Sequence, residues 1–141
     1  MDDIVHDFEA LTLGDHATIG KTVTEADILM FAAVSTDTNP VHIDAEAAAA
    51  SIFKERVAQG MLSASLISAV LGNKLPGPGT ILLSQNLRFR APVKIGDTVH
   101  ATVEVTGLDA LKRRATLSTT CTVNGKTVIV GEAVVIPPSR V

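Results

Sequence analysis

The sequence predicts an α+β domain in which a curved antiparallel sheet of about five strands packs against one long buried helix. Three observations predict it. The first half of the chain reads as one strand followed by helices, whereas 81–136 alternates polar and apolar residues with a period of two. Residues 59–72, QGMLSASLISAVLG, are apolar or small nearly all round, as expected of a buried helix. Asn124-Gly125 between two alternating runs is a two-residue hairpin signal of the primed type. At 141 residues the chain is read as a single domain over 1–141, long enough to bury a core without disulfides.

The elements follow in order. Residues 14–23, GDHATIGKTV, read as a first strand. Thr24, followed by Glu25 and Asp27, begins a helix with a capping-box pattern, and Ile28, Phe31 and Ala32 recur at helical spacing. That helix ends by Asp37, because TDTNP is rich in turn formers and Pro40 does not fit a helix interior. Asp44 is a candidate N-cap for a short helix over 45–53. The 59–72 helix ends at Gly72-Asn73, and LPGPG makes the loop after it. Ile81, Leu83, Leu87 and Phe89 share one face of the next strand; Val99, Ala101, Val103 and Val105 share a face of the third. Ala115, Leu117, Thr119, Cys121 and Val123 share a face of the fourth, and 126–136 forms the last. Lys94-Ile95-Gly96-Asp97 joins the second and third strands, and short links favour sequential strands pairing as neighbours. Such a sheet has open edges, which need cover or a partner, so pairing of two subunits is expected.

Composition narrows the function. Twelve Lys and Arg against fifteen Asp and Glu give a net charge of −3, which argues against a large nucleic-acid footprint. With no Trp and no Tyr, base-stacking platforms, aromatic cages and tyrosine general acids are not expected. The single Cys121 precludes an internal disulfide or a Cys-rich zinc site, and a reducing cytoplasm is the expected compartment. No apolar run is long enough for a membrane helix, and MDDIVHDFEA has no secretory n-region or h-region. His6, His16, His42 and His100 show no i,i+4 pair, so no metal site is expected. Gly125-Lys126-Thr127 matches the end of a phosphate loop, but Thr120 stands where the first glycine would be needed.

The chemistry concentrates in two places. Asp37-Thr38-Asn39-Pro40-Val41-His42 brings a carboxylate, an amide and an imidazole within six residues. An imidazole beside a carboxylate works as an acid/base pair near neutral pH, provided the loop turns back to join them. The plainer reading is a turn, in which Asp and Asn cap their own backbone. Gln59-Gly60 opens the buried helix, where unpaired N–H groups suit an oxyanion and a glycine admits a ligand close to the backbone. Alternatively, Gly60 simply relieves crowding where helix meets sheet. Ser63, Ser65 and Ser68 are expected to bond back to their own helix, although Ser68 also suits a cavity wall. Arg88 and Arg90 share a strand face, either solvated or phosphate-binding.

FAAVSTDTNPVHIDAEAAAAS resembles the signature of the (R)-specific enoyl-CoA hydratases, the MaoC-like dehydratases of the hot-dog fold. The resemblance continues through GMLSASLISAVLG, ILLSQNLRFRAPVKIGDTV and GEAVV, over roughly 14–137. It implies that Asp37 and His42 hold and activate a water, that Asn39 supports the geometry, and that the Gly60 N–H receives a thioester oxygen. It implies an acyl-CoA substrate with no separate cofactor, an acyl tail passing Met61, Ser68 and Leu71, and homodimers whose sheets join. From the bulk of Leu71, short acyl chains are expected. Gln59 stands where the family commonly has His, and Ser35-Thr36 also departs from the usual pair before the Asp. The same resemblance leaves open a carrier-protein-linked dehydratase, a thioesterase, or a non-catalytic acyl-CoA-binding module.

Overall fold

The computed structural model describes residues 6–139. Part of the acidic N-terminal stretch read above, residues 1–5, lies outside the described residues. A 3-10 turn, Phe8–Ala10, precedes β1, His16–Thr22. Three helices follow: α1 (Glu25–Ser35), α2 (Pro40–Ile43) and α3 (Ala45–Ala49). Then come α4 (Gly60–Asn73) and four strands: β2 (Ile81–Phe89), β3 (Thr98–Asp109), β4 (Arg114–Val123) and β5 (Lys126–Ile136). The strands form one antiparallel sheet in the order β1-β3-β4-β5-β2. This is the hot-dog architecture.

The period-two faces of β3 and β4 form the inner wall. Val99, Ala101, Val103, Ala115, Leu117 and Cys121 have no exposed surface, and α4 places Ile67, Val70 and Leu71 against this layer. Burying a side chain of this kind stabilises the fold by about 1.5–3 kcal/mol. Burial pushes the Cys121 thiol pKa up to about 11, so it sits in the core as a small apolar group.

Four sequence expectations change. First, β2 does not neighbour β3; it pairs with β5, from Ile81 opposite Ile136 to Phe89 opposite Ile129. The 90–97 link is a crossover held by other segments. The Ala58 N–H donates to the Val93 carbonyl (2.7 Å), and Val23 exchanges bonds with Gly96 and Asp97 (both 2.8 Å). Second, Pro40 starts a helix, α2, where a loop is predicted; at the first helical position its missing N–H costs nothing. Third, the 45–53 helix stops at Ala49, because the Ser51 hydroxyl bonds back to Ala48 and Lys54 adopts a left-handed φ of 66°. α4 in turn runs one residue past Gly72 and is capped by Lys74. Fourth, α4 is not covered all round: Met61 is 55% exposed, and Ser65 and Ser68 are exposed. Nor is the apolar face of β2 covered, with Ile81, Leu83 and Phe89 about half exposed.

The predicted caps are present. Asp44 accepts from the N–H groups of Glu46 (2.9 Å) and Ala47 (3.2 Å). Thr24 and Asp27 form a reciprocal capping box, and Lys21 pairs with the Asp27 carboxylate at 3.1 Å. The Thr24 N–H first, then Lys21, holds the Asp27 carboxyl below the usual carboxylate range. A lowered acid pKa contributes stability above the unfolded value and loses it as pH falls through the folded value. Asp27→Ala is therefore expected to cost about 1 kcal/mol at neutral pH. In thermal melts at decreasing pH, the gap from wild type should close on the acid side.

Candidate active site

The site begins where α1 ends. Thr36 takes a left-handed φ of 65° and turns the chain out of the helix. The Ser35 hydroxyl donates to the Phe31 carbonyl (2.6 Å) and accepts from the Asp37 N–H (3.0 Å). Asp37 Oδ1 then accepts from the Asn39 N–H (3.3 Å), and Asn39 Oδ1 accepts from the Val41 N–H (3.3 Å), capping α2. This chain of short polar caps reverses the backbone within a few residues and swings His42 back toward Asp37.

Asp37 Oδ2 and His42 Nε2 face each other at 3.9 Å. The two readings of this loop coexist. One carboxylate oxygen caps the turn and the other looks at the imidazole. The other ring nitrogen, Nδ1, lies 2.8 Å from the Val57 carbonyl. A carbonyl only accepts, so in the neutral ring the proton sits on Nδ1 and the Nε2 lone pair points toward Asp37. His42 is mostly buried and Asp37 is 43% exposed by side chain, so the pair spans the step from interior to solvent.

A cavity of about 460 Å³ opens at His42, with Asn39, Phe53, Gly60, Phe89 and Arg90 also in its wall; Asp37 faces His42 but is not part of that wall. Gly60 is the first residue of α4, and Gln59 before it makes no side-chain cap. The helix therefore starts at the cavity wall with no side-chain hydrogen bond to its first N–H groups, which carry partial positive charge. The crowding reading of Gly60 also holds. A Cβ there would lie 2.7 Å from Phe89 Cε1 and 3.0 Å from Cδ1.

The other sequence-selected residues divide. Arg90 lines the cavity; Arg88 is exposed on β2 and lines neither this cavity nor the second hollow. Gln59 is 1% exposed and its Nε2 donates to the Ile28 carbonyl (3.0 Å), tying the start of α4 to α1. Met61 and Ser68 line the second hollow, about 290 Å³, with Phe31, Leu82, Gln85 and Leu87. Leu71 packs in the core and lines neither. Within one protomer, the cavity at His42 and the hollow at Ser68 thus take different residues of α4. The Ser65 hydroxyl bonds back to Leu62 (2.6 Å), as expected of a helical serine; that of Ser63, in the cavity wall, has no partner among the described residues.

Sequence reasoning did not single out Phe53, Arg56 or Val57. Arg56 Nε donates to the His42 carbonyl (2.8 Å) and Nη1 to Glu25 (2.6 Å). In the string Lys54-Glu55-Arg56 it reads as one of several solvated charges, and only the apolar Val57-Ala58 after it hints at burial. No group of three or more His, Cys, Asp or Glu able to hold a metal occurs among the described residues. None of their helices is long and apolar enough to cross a membrane.

Residues 13–128 match the model of the MaoC-like domain. The chain belongs to that family. It is 55% identical to an (R)-specific enoyl-CoA hydratase of Rhodospirillum rubrum, over 99% of this chain and 96% of that protein. The unliganded R-hydratase PhaJ1 of Pseudomonas aeruginosa superposes with a TM-score of 0.91 at 45% identity, covering 98% of this chain and 88% of that one. The (R)-hydratase of Aeromonas caviae involved in PHA biosynthesis gives 0.90 at 44% identity, covering 92% and 99%.

Gly60→Ala tests the crowding of this glycine against Phe89. The backbone accepts Ala, and the half-exposed Phe89 ring has room to swing away, so the melting temperature is expected to move by less than about 4 °C. The displaced ring should show as an altered Phe89 position in a structure of the variant and as a raised KM.

Proposed function

We propose that the chain is an (R)-specific enoyl-CoA hydratase, a hydro-lyase. It adds water reversibly, and to one face, across a trans-2-enoyl-CoA to give the (R)-3-hydroxyacyl-CoA; Leu71, on whose bulk the expectation of short acyl chains rests, lies in the core and sets no such limit. One observation carries the reading: two proton acceptors, Asp37 Oδ2 and His42 Nε2, stand 3.9 Å apart, and His42 lines a cavity whose wall includes the uncapped start of α4. Both lie within reach of a single water oxygen at ordinary hydrogen-bond lengths of about 2.8 Å. Family membership and 55% identity over nearly the whole chain support the same conclusion.

The mechanism follows from charge. An enoyl thioester accepts water at Cβ only if the electron density pushed onto its carbonyl oxygen is stabilised. The Gly60 N–H, at the positive end of a 14-residue helix, supplies that stabilisation. The bound water gives one proton to the Asp37–His42 pair as its oxygen bonds to Cβ. The C=C electron pair shifts onto the enolate, and a proton from the pair is delivered to Cα on the same face. One O–H bond of water breaks; one C–O and one C–H bond form. Asn39 holds the turn by capping α2. Arg90 in the cavity wall and Arg88 on the neighbouring strand provide positive charge for the phosphates of coenzyme A.

The working unit in this reading is a homodimer. β2 is an edge strand, and Ile81, Leu82 and Leu83 are 55%, 44% and 48% exposed beside the second hollow. An unpaired apolar edge of this kind calls for a partner. Joining two sheets there would bring the hollow that contains Ser68 to the subunit boundary, where it suits an acyl tail.

Asp37→Asn and His42→Ala should each lower crotonyl-CoA hydration by about 10²–10⁴-fold, the usual worth of a positioned acid or base, with circular dichroism unchanged. Near wild-type hydration in either variant would overturn the assignment, as would release of free thiol as the main reaction. Separately, Leu83→Glu places like charges across the joined edges and should shift sedimentation toward monomer.

A further inference from the structure

We infer that Arg56 is a positioning residue that sets the tautomer and aim of the His42 imidazole, an inference that rests on His42 acting on water as proposed above. His42 is held from one short segment by two adjacent residues, Val57 at the ring and Arg56 at the backbone. The Val57 carbonyl accepts from Nδ1 at 2.8 Å, and Arg56 Nε donates to the carbonyl of His42 itself at 2.8 Å. The Val57 N–H adds a longer bond to the Val41 carbonyl, 3.3 Å. Ring and backbone of His42 are thus clamped together against 56–57.

Arg56 also fastens the clamp to a third element. Its Nη1 donates to Glu25 at the first turn of α1, 2.6 Å away, and its side chain is only 14% exposed. α1 is the helix whose C-terminal end delivers Asp37. One guanidinium therefore links the element that carries the carboxylate to the turn that carries the imidazole. The rigid planar fork makes this possible, with Nε and Nη1 donating in two directions at once. A lysine carries the charge without that geometry. Arg56 does not line the cavity, so it acts through His42 and does not touch substrate.

A merely structural arginine would, when replaced, lower stability and activity together; a positioning residue gives a different pattern. Arg56→Gln should reduce kcat for crotonyl-CoA by about 10- to 100-fold, the worth of a small misplacement at a reacting centre. KM should stay within about twofold, because Gly60, Phe53, Phe89 and Arg90 of the cavity wall make no hydrogen bond with Arg56 and keep their places. Nitrogen-15 spectra of labelled histidine should show His42 as the Nδ1–H tautomer in the wild type and as a mixture in the variant. Arg56→Lys should recover only part of kcat. Glu25→Gln, which releases the far end of the fork, should lose less than Arg56→Gln, and it keeps the test open if Arg56→Gln does not fold. Wild-type kcat in the Arg56 variants, or a loss of kcat with the His42 tautomer unchanged, would overturn the inference while leaving the hydratase reading in place. Wild-type hydration by His42→Ala would remove the reading on which it rests.

Discussion

The structure depends on one constraint placed on α4. Its inner face must be dry and its first turn must remain open. Ile67, Val70 and Leu71 press into the concave wall formed by β3 and β4, and that contact organises the core. Gly60, at the other end of the same helix, reaches the cavity wall with no side chain capping it. The buried face anchors the helix, and the open turn uses that rigidity. A helix fixed by tertiary packing presents its N–H groups at a set point, which in the proposed reaction would spare the cost of reorganising around a developing charge.

The loop from 36 to 44 solves a related problem by other means. It has little apolar surface, so its shape comes from short polar caps by Ser35, Asp37, Asn39 and Asp44. Each bond is worth on the order of 1 kcal/mol, and together they give a backbone with few alternatives. The crossover link of 90–97 works in the same direction. By bonding to Ala58 and Val23 it holds the segment that carries Val57 and Arg56 against the sheet. The fold's least expected connection is therefore also the one that supports the site from behind.

Much of this was legible in the residues. Periodicity located β2, β3, β4 and the long helix, because the alternating faces of β3 and β4 and the apolar run of α4 are driven by burial in a single core, and the Asn124-Gly125 turn pointed to β5. Thr24 and Asp44 marked helix starts because capping is local chemistry. Strand order was not legible: pairing of β2 with β5 is set by where the 90–97 link is tethered, and its tethers lie 35 to 74 residues away in sequence. The exposure of Met61 and Ser68 was missed because hydropathy reports what a side chain prefers, not whether one protomer covers it. Within the site, Asp37, Asn39, His42 and Gly60 stood out through their own spacing. Arg56 did not, since its importance comes from partners at 25 and 42 and no local pattern encodes them.

The close seat of the Phe89 ring on Gly60 has a consequence for how this architecture can diversify. The two positions are linked: with the aromatic in its present seat at the strand end, a side chain at the helix start finds room only if the ring moves aside or is replaced by a smaller residue. Remodelling of the cavity mouth is thus freer at the half-exposed ring than at the helix start, where any added side chain must first displace that ring.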